Sequence, residues 1–153
     1  MNLNGIGASS GYGIGKARII KEFAYPTSHT ISDIPAEIER FQNAVAQANT
    51  ELEHIYTEKL ESLGDENAAI FQAHIAMLND PEWHAGIIAK IKSDNESAEY
   101  ATKVIGDQYY ELFSSMDDSY FKERALDIKD ISMRLMKILT GVTTNLEFDT
   151  SEP

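Results

Sequence analysis

The sequence contains no cysteine among its 153 residues. That absence removes disulfides, thiolate nucleophiles and thiolate metal sites, and it fits a cytoplasmic protein. Nor is there an uninterrupted apolar run of the ~18 residues that a membrane-spanning helix requires, so no membrane insertion is expected. Residues 1–20 lack both the basic start and the continuous apolar stretch of a signal peptide. Positive charge is scarce: 13 Lys and Arg stand against 25 Asp and Glu, a formal net charge of −12. Nucleic acid and anionic lipid repel such a chain, and a basic partner protein is its natural complement. Solubility alone also accounts for the acidity. With 42% hydrophobic and 25% charged residues, the chain can still bury an ordinary core.

Glycine and proline are nearly missing from the middle. Five of the nine glycines fall at Gly5, Gly7, Gly11, Gly13 and Gly15. Between Asp33 and Thr140 the only breakers are Gly64, Gly86, Gly106, Pro35 and Pro81. This reads as a strand and loop segment followed by a helical one. Asp33 suits an N-cap, with Pro35 in the first turn. Ile34, Ile38, Phe41, Val45, Ala48, Leu52 and Ile55 then recur at alternating steps of four and three, which predicts a helix over about 34–62 that ends at Gly64. A shorter helix carrying Ala69, Ile70, Phe71, Ile75 and Leu78 stops before Asn79. Pro81 opens a third through Trp83, Ile87, Ile88 and Ile91. Ala98, Ala101, Ile105, Gln108, Leu112 and Met116 mark a fourth. Asp117 and Asp118 open a fifth, whose inner face is Phe121, Ala125, Ile128, Ile131, Leu135 and Ile138, with Gly141 beyond its end. Two long amphipathic helices with shorter ones between predict a mainly α, up-and-down bundle. The organisation expected is an N-terminal strand/loop segment over 1–24, a helical domain over 25–145 and a frayed polar tail over 146–153.

Several chemistries fail on spacing. A phosphate loop needs G-x-x-x-x-G-K-[ST]; before Gly15-Lys16 the first glycine is replaced by Ser10, and Ala17 follows the lysine. A dinucleotide G-x-G-x-x-G fails because Gly5-Ile6-Gly7 also reaches Ser10. Glu51-Leu52-Glu53-His54 contains one Glu-x-x-His, but a carboxylate-bridged di-metal bundle needs two, so a polar helix face is expected and no metal. Thr27-Ser28-His29-Thr30 lacks preceding glycines to cradle a phosphate and reads as a loop. The residues favour a binding module over an enzyme. Leu63–Glu82 is the informative stretch, with Asp65, Glu66, Gln72, His74, Asp80 and Glu82 beside Ile70, Phe71, Ile75, Met77 and Leu78. A short helix with acids at both ends suits a basic-rimmed partner. Met77, whose thioether adapts to irregular surfaces, is the partner-facing apolar candidate.

Three blocks carry a family resemblance. NGIGASSGYGIGKARII resembles the opening G-I-x-A-S-P-G-x-A-x-G-K-A of Enzyme I of the bacterial phosphoenolpyruvate:sugar phosphotransferase system. AAIFQAHIAMLNDPE resembles its A-x-I-F-x-x-H-x-x-x-L-x-D-x-E, and DDSYFKERALDIKDISMRLM its D-x-Y-x-x-E-R-A-x-D-x-x-D-I-x-x-R-L. The chain departs from the family at Ser10, Tyr12, Gln72 and Ala76, the last two lightening the docking face. The resemblance implies a helical insert that binds the phosphocarrier HPr, or a related carrier, beside the first strand of an α/β phosphohistidine domain that is cut short. Its implied docking residues are Asp65, Glu66, Gln72, His74, Met77, Asp80, Glu82 and Arg124, and Arg124 either orients an acid of that surface or touches the partner. The family's phosphohistidine motif, G-G-x-x-S-H-[TS], is absent from these residues. The resemblance therefore implies no catalytic residue and no cofactor in this chain, with magnesium and phosphoenolpyruvate handled by a barrel domain elsewhere in the parent. A monomer is expected, with pairing through the orphaned first strand as the route to association. A helical adaptor unrelated to phosphotransfer is the alternative.

Overall fold

The computed structural model describes residues 23–142, the side chains of Leu63 and of 65–67 excepted. The strand/loop segment expected over 1–24 lies outside the described residues except for Phe23 and Ala24, and the tail over 146–153 lies wholly outside them. From Ala24 onward the described chain belongs to one compact unit. Its helices are α1 (Ile34–Leu63), α2 (Asp65–Leu78), α3 (Pro81–Asp94), α4 (Ala98–Ser114) and α5 (Ser119–Leu139). Among the described residues, extended pairing is limited to one antiparallel bridge between Thr30 and Glu96.

Local chemistry accounts for the boundaries. Asp33 accepts from the Ala36 amide at 3.0 Å, Asp80 from Trp83 at 2.9 Å and Asp118 from Tyr120 at 2.8 Å. Each supplies an acceptor to an amide that the first helical turn leaves unpaired. Gly64 ends α1 and begins α2 with φ at 80°, a left-handed conformation that favours glycine. The α2–α3 junction is stitched by side chains. Asn79 exchanges two hydrogen bonds with Asn49, at 2.8 and 2.9 Å, and His84 Nε2 donates to the Leu78 carbonyl at 2.6 Å.

These contacts set the topology. Asn49 lies midway along α1, so α2 descends only half of that helix and α3 continues down the rest. The lengths agree: α1 has 30 residues, and α2 and α3 have 14 each, or about 45 Å against about 42 Å at ~1.5 Å per residue. The bundle is therefore four columns, with α2 and α3 sharing one. At its base the start of α1 meets the start of α4, through Glu37 and the Ala98 amide, and the end of α5, where Arg40 Nη1 donates to the Leu139 carbonyl at 2.9 Å. Arg40 also binds the carboxylates of Glu37 and Glu99. Burial pushes the Glu37 carboxyl up, but hydrogen bonds from Arg40 and from the Ala98 amide outweigh it and hold Glu37 below the usual carboxylate range.

The heptad seam faces inward. Phe41, Val45, Ala48 and Leu52 are buried, while Ile34, Ile38 and Ile55 are half-buried. They meet Trp83, Ile87 and Ile91 of α3, Ala98, Ala101 and Ile105 of α4, and Ile128, Ile131 and Leu135 of α5. The expected inner face of α4 holds only in its first half. Leu112 is exposed, and Tyr109 and Phe113 turn inward instead, because steps of four from Ile105 carry these rings toward α5. Gly106 lets α4 and α5 approach closely: a Cβ there would stand 2.4 Å from Ser132 Oγ.

Candidate functional site

The residues singled out from the sequence gather around α2, but not on one face. Gln72 and His74 are two positions apart on a helix, which sends their side chains to opposite flanks. Gln72 is exposed and donates from Nε2 to Tyr56 Oη of α1 at 2.7 Å. His74 is buried and points the other way, its Nε2 lying 3.1 Å from Asp127 Oδ1 of α5. On the Gln72 flank runs an outward stripe of Ala69, Gln72 and Ala76, while Ile70, four positions before His74, is exposed on the other side. Ile70 is 51% exposed, whereas Met77 is half-buried and packs against the core. Ile70 is therefore the more open apolar residue of α2, and Met77, seven positions later, lies on the same side of the helix in partial contact with the core. The side chains of Asp65 and Glu66 lie outside those described; their backbone forms the first turn of α2.

Below α2 the stripe runs into the α3 start. Asp80 and Glu82 are exposed there, and Asp80 also caps the helix. Burial, reinforced by the charges of Asp80 and Glu82, raises the Tyr109 phenol above its ordinary value. That places Tyr109 of α4 within the field of both acids. From Tyr109 a run of rings continues through Phe113 at 6.1 Å to Phe121 at 5.7 Å and Tyr120 at 5.5 Å. The Arg124 guanidinium lies over the Tyr120 ring at 5.1 Å, and its Nη1 reaches Asp127 Oδ2 at 2.8 Å. Through Asp127 this run returns to His74, so Asp80, Glu82, Arg124 and His74 border one connected cluster at the upper half of the bundle.

Sequence reasoning did not single out Asp127 or Tyr56, and it named Ile70 only among the apolar residues of the short helix. For Asp127 a signal existed. Arg124 and Asp127 are three apart, the spacing of a helical ion pair, and a buried histidine such as His74 needs a polar partner. Other candidates disperse. Glu51 pairs with Arg134 at 2.9 Å, while His54 lies exposed 3.6 Å from Glu58, so the Glu-x-x-His does not converge. His29 approaches Glu99 at 3.8 Å near the base. Among the described residues no group of three or more His, Asp or Glu side chains could hold a metal ion. Nor is any described helix long and apolar enough to cross a membrane.

Comparison with known proteins supplies the family. Residues 4–124 match the family described as PEP-utilising enzyme, N-terminal. The chain is 42% identical over 142 residues to the phosphoenolpyruvate-protein phosphotransferase of Bacillus sp. (strain S), and 43% identical over 142 residues to that of Geobacillus stearothermophilus. Each match covers 92% of this chain and 25% of the relative, so the chain spans a quarter of the length of these curated relatives. An NMR solution structure of an Enzyme I protein superposes with a TM-score of 0.72 at 32% identity, covering 75% of this chain and 47% of that one. With a family match over residues 4–124 and a TM-score of 0.72 to that structure, the chain belongs to the family of PEP-utilising enzyme N-terminal regions.

Proposed function

We propose that this chain is the docking module of a phosphoenolpyruvate-protein phosphotransferase, and that it binds the phosphocarrier HPr or a related carrier for phosphoryl transfer. The observation that carries the reading is the solvent side of α2, where Ala69, Ile70, Gln72 and Ala76 are exposed, followed by the exposed acids Asp80 and Glu82 at the start of α3. Small side chains let a partner helix approach closely, Ile70 offers an apolar anchor, and the acids meet a basic rim. Those charges act mainly on encounter rate and register. In this reading Asp65 and Glu66, at the start of α2, and Met77, near its end, are docking residues as well. Because the 153 residues contain no G-G-x-x-S-H, the phosphohistidine belongs elsewhere. So does the magnesium-dependent chemistry of phosphoenolpyruvate.

Calorimetric titration with HPr tests the proposal. The wild-type chain should bind, and the Asp80→Lys/Glu82→Lys double variant should bind at least about tenfold more weakly, since each reversed charge turns attraction into repulsion. Undiminished binding by that variant would favour a helical adaptor whose surface lies elsewhere. In the same preparation, labelled phosphoenolpyruvate should leave no phosphate on the chain; incorporation would contradict the assignment of transfer to another part.

A further inference from the structure

Asp127 is not among the expected docking positions, yet it joins two of them. Its carboxylate is largely buried between α2 and α5 with both oxygens engaged, Oδ1 by His74 Nε2 at 3.1 Å and Oδ2 by Arg124 Nη1 at 2.8 Å. A carboxylate, paired here with the arginine, can only accept hydrogen bonds. The proton between Asp127 and His74 therefore sits on Nε2, and the neutral form of the ring then carries its lone pair on Nδ1. A carboxylate behind a ligating histidine fixes its tautomer in the same way at metal sites. Outside this bond the His74 ring stands edge-on to Phe71, centroids 6.3 Å apart, and lines an open groove of about 330 Å³ with Ile131, Arg134 and Lys137.

Charge adds a second consequence. Arg124 is a cation beside a surface whose exposed members are acids, and a basic partner would meet it as repulsion. The Asp127 carboxylate cancels that charge at close range. We propose that Asp127 is the positioning residue of the docking surface: it locks His74 with Nδ1 as a hydrogen-bond acceptor and masks Arg124, so that the partner must present a donor, an amide, hydroxyl or amino group, to His74. This rests on the docking reading and names the partner chemistry at that point.

The test begins with nitrogen-15 spectra of the histidine rings in the unaltered chain at pH 8, where an ordinary imidazole is neutral. His74 should be a single Nε2–H tautomer, while the exposed His54 samples both. A mixed or Nδ1–H tautomer at His74 overturns the proposal, and this measurement requires no variant to fold. HPr binding is then measured at two salt concentrations for the wild type, Asp127→Asn and Asp127→Glu. Asp127→Asn should release the tautomer lock, weaken binding about tenfold, the worth of one charge-assisted hydrogen bond, and flatten the salt dependence by unmasking Arg124. Asp127→Glu should recover part of each. Wild-type binding with an unchanged Asp127→Asn overturns the positioning role alone. Absence of wild-type binding overturns the docking reading, and this inference with it.

Discussion

Around Phe41, Ile91 and Leu135 the helices meet through apolar side chains at 1% exposure or less, whereas between α2 and the start of α5 the central described contact joins His74, Asp127 and Arg124. Dispersion and burial in the lower half are non-directional and add up over many contacts. The upper cluster is directional. It contributes little net stability, because desolvating its charges offsets most of their attraction, but it fixes where a ring and a guanidinium point. The lower half holds the scaffold, and the upper half holds a surface in register.

Substitutions can break or sharpen that division. The largest effect is expected from Leu135→Ala, which empties a fully buried site and should cost roughly 2–5 kcal/mol in urea denaturation while leaving HPr affinity unchanged in the folded fraction. A smaller loss, roughly 1–3 kcal/mol, is expected for Gly106→Ala, because the new Cβ meets Ser132 Oγ. Adding Ser132→Ala should recover part of it; strict additivity of the two changes would show that the close approach is not the cause. Asp80→Ala should cost about 1 kcal/mol through the lost cap and also weaken docking. Asp80→Asn separates the two, since asparagine caps as well as aspartate but carries no charge: stability should hold while binding falls.

The smallest effect is a pH dependence at the base. Glu37 is held below the usual carboxylate range in the folded chain. Its contribution is therefore complete above the ordinary glutamate value of about 4.3 and is lost as pH falls through its own lower value. Denaturation midpoints followed from pH 6 downward should decline less steeply in Glu37→Gln than in the wild type, and equal slopes would remove Glu37 from the account.

How much of this could be read beforehand follows from range. Helix starts at Asp33, Pro81 and Asp118 are local events, settled by a cap or a ring within one turn, and they were legible. The seam of α1 was legible because seven apolar residues repeat without interruption. One local expectation failed where tertiary contact decides. Leu112 yields its place to Tyr109 and Phe113, which find Phe121 across the helix pair. That Ile70 is more open than Met77, on the same side of α2, follows from how that helix packs against α1 and α5 and has no local signal. The resemblance named His74 and Arg124 but not the carboxylate between them, because the link to His74 crosses 53 residues of sequence.

The most direct test is a titration of the nitrogen-15-labelled chain with unlabelled HPr, followed amide by amide. The account predicts perturbations that cluster on α2 and the α3 start, at Ile70, Gln72, His74, Asp80 and Glu82, and extend to Arg124 and Asp127, with Phe41, Ile91 and Leu135 unmoved. Perturbations centred on the lower half, or none at millimolar HPr, would contradict it.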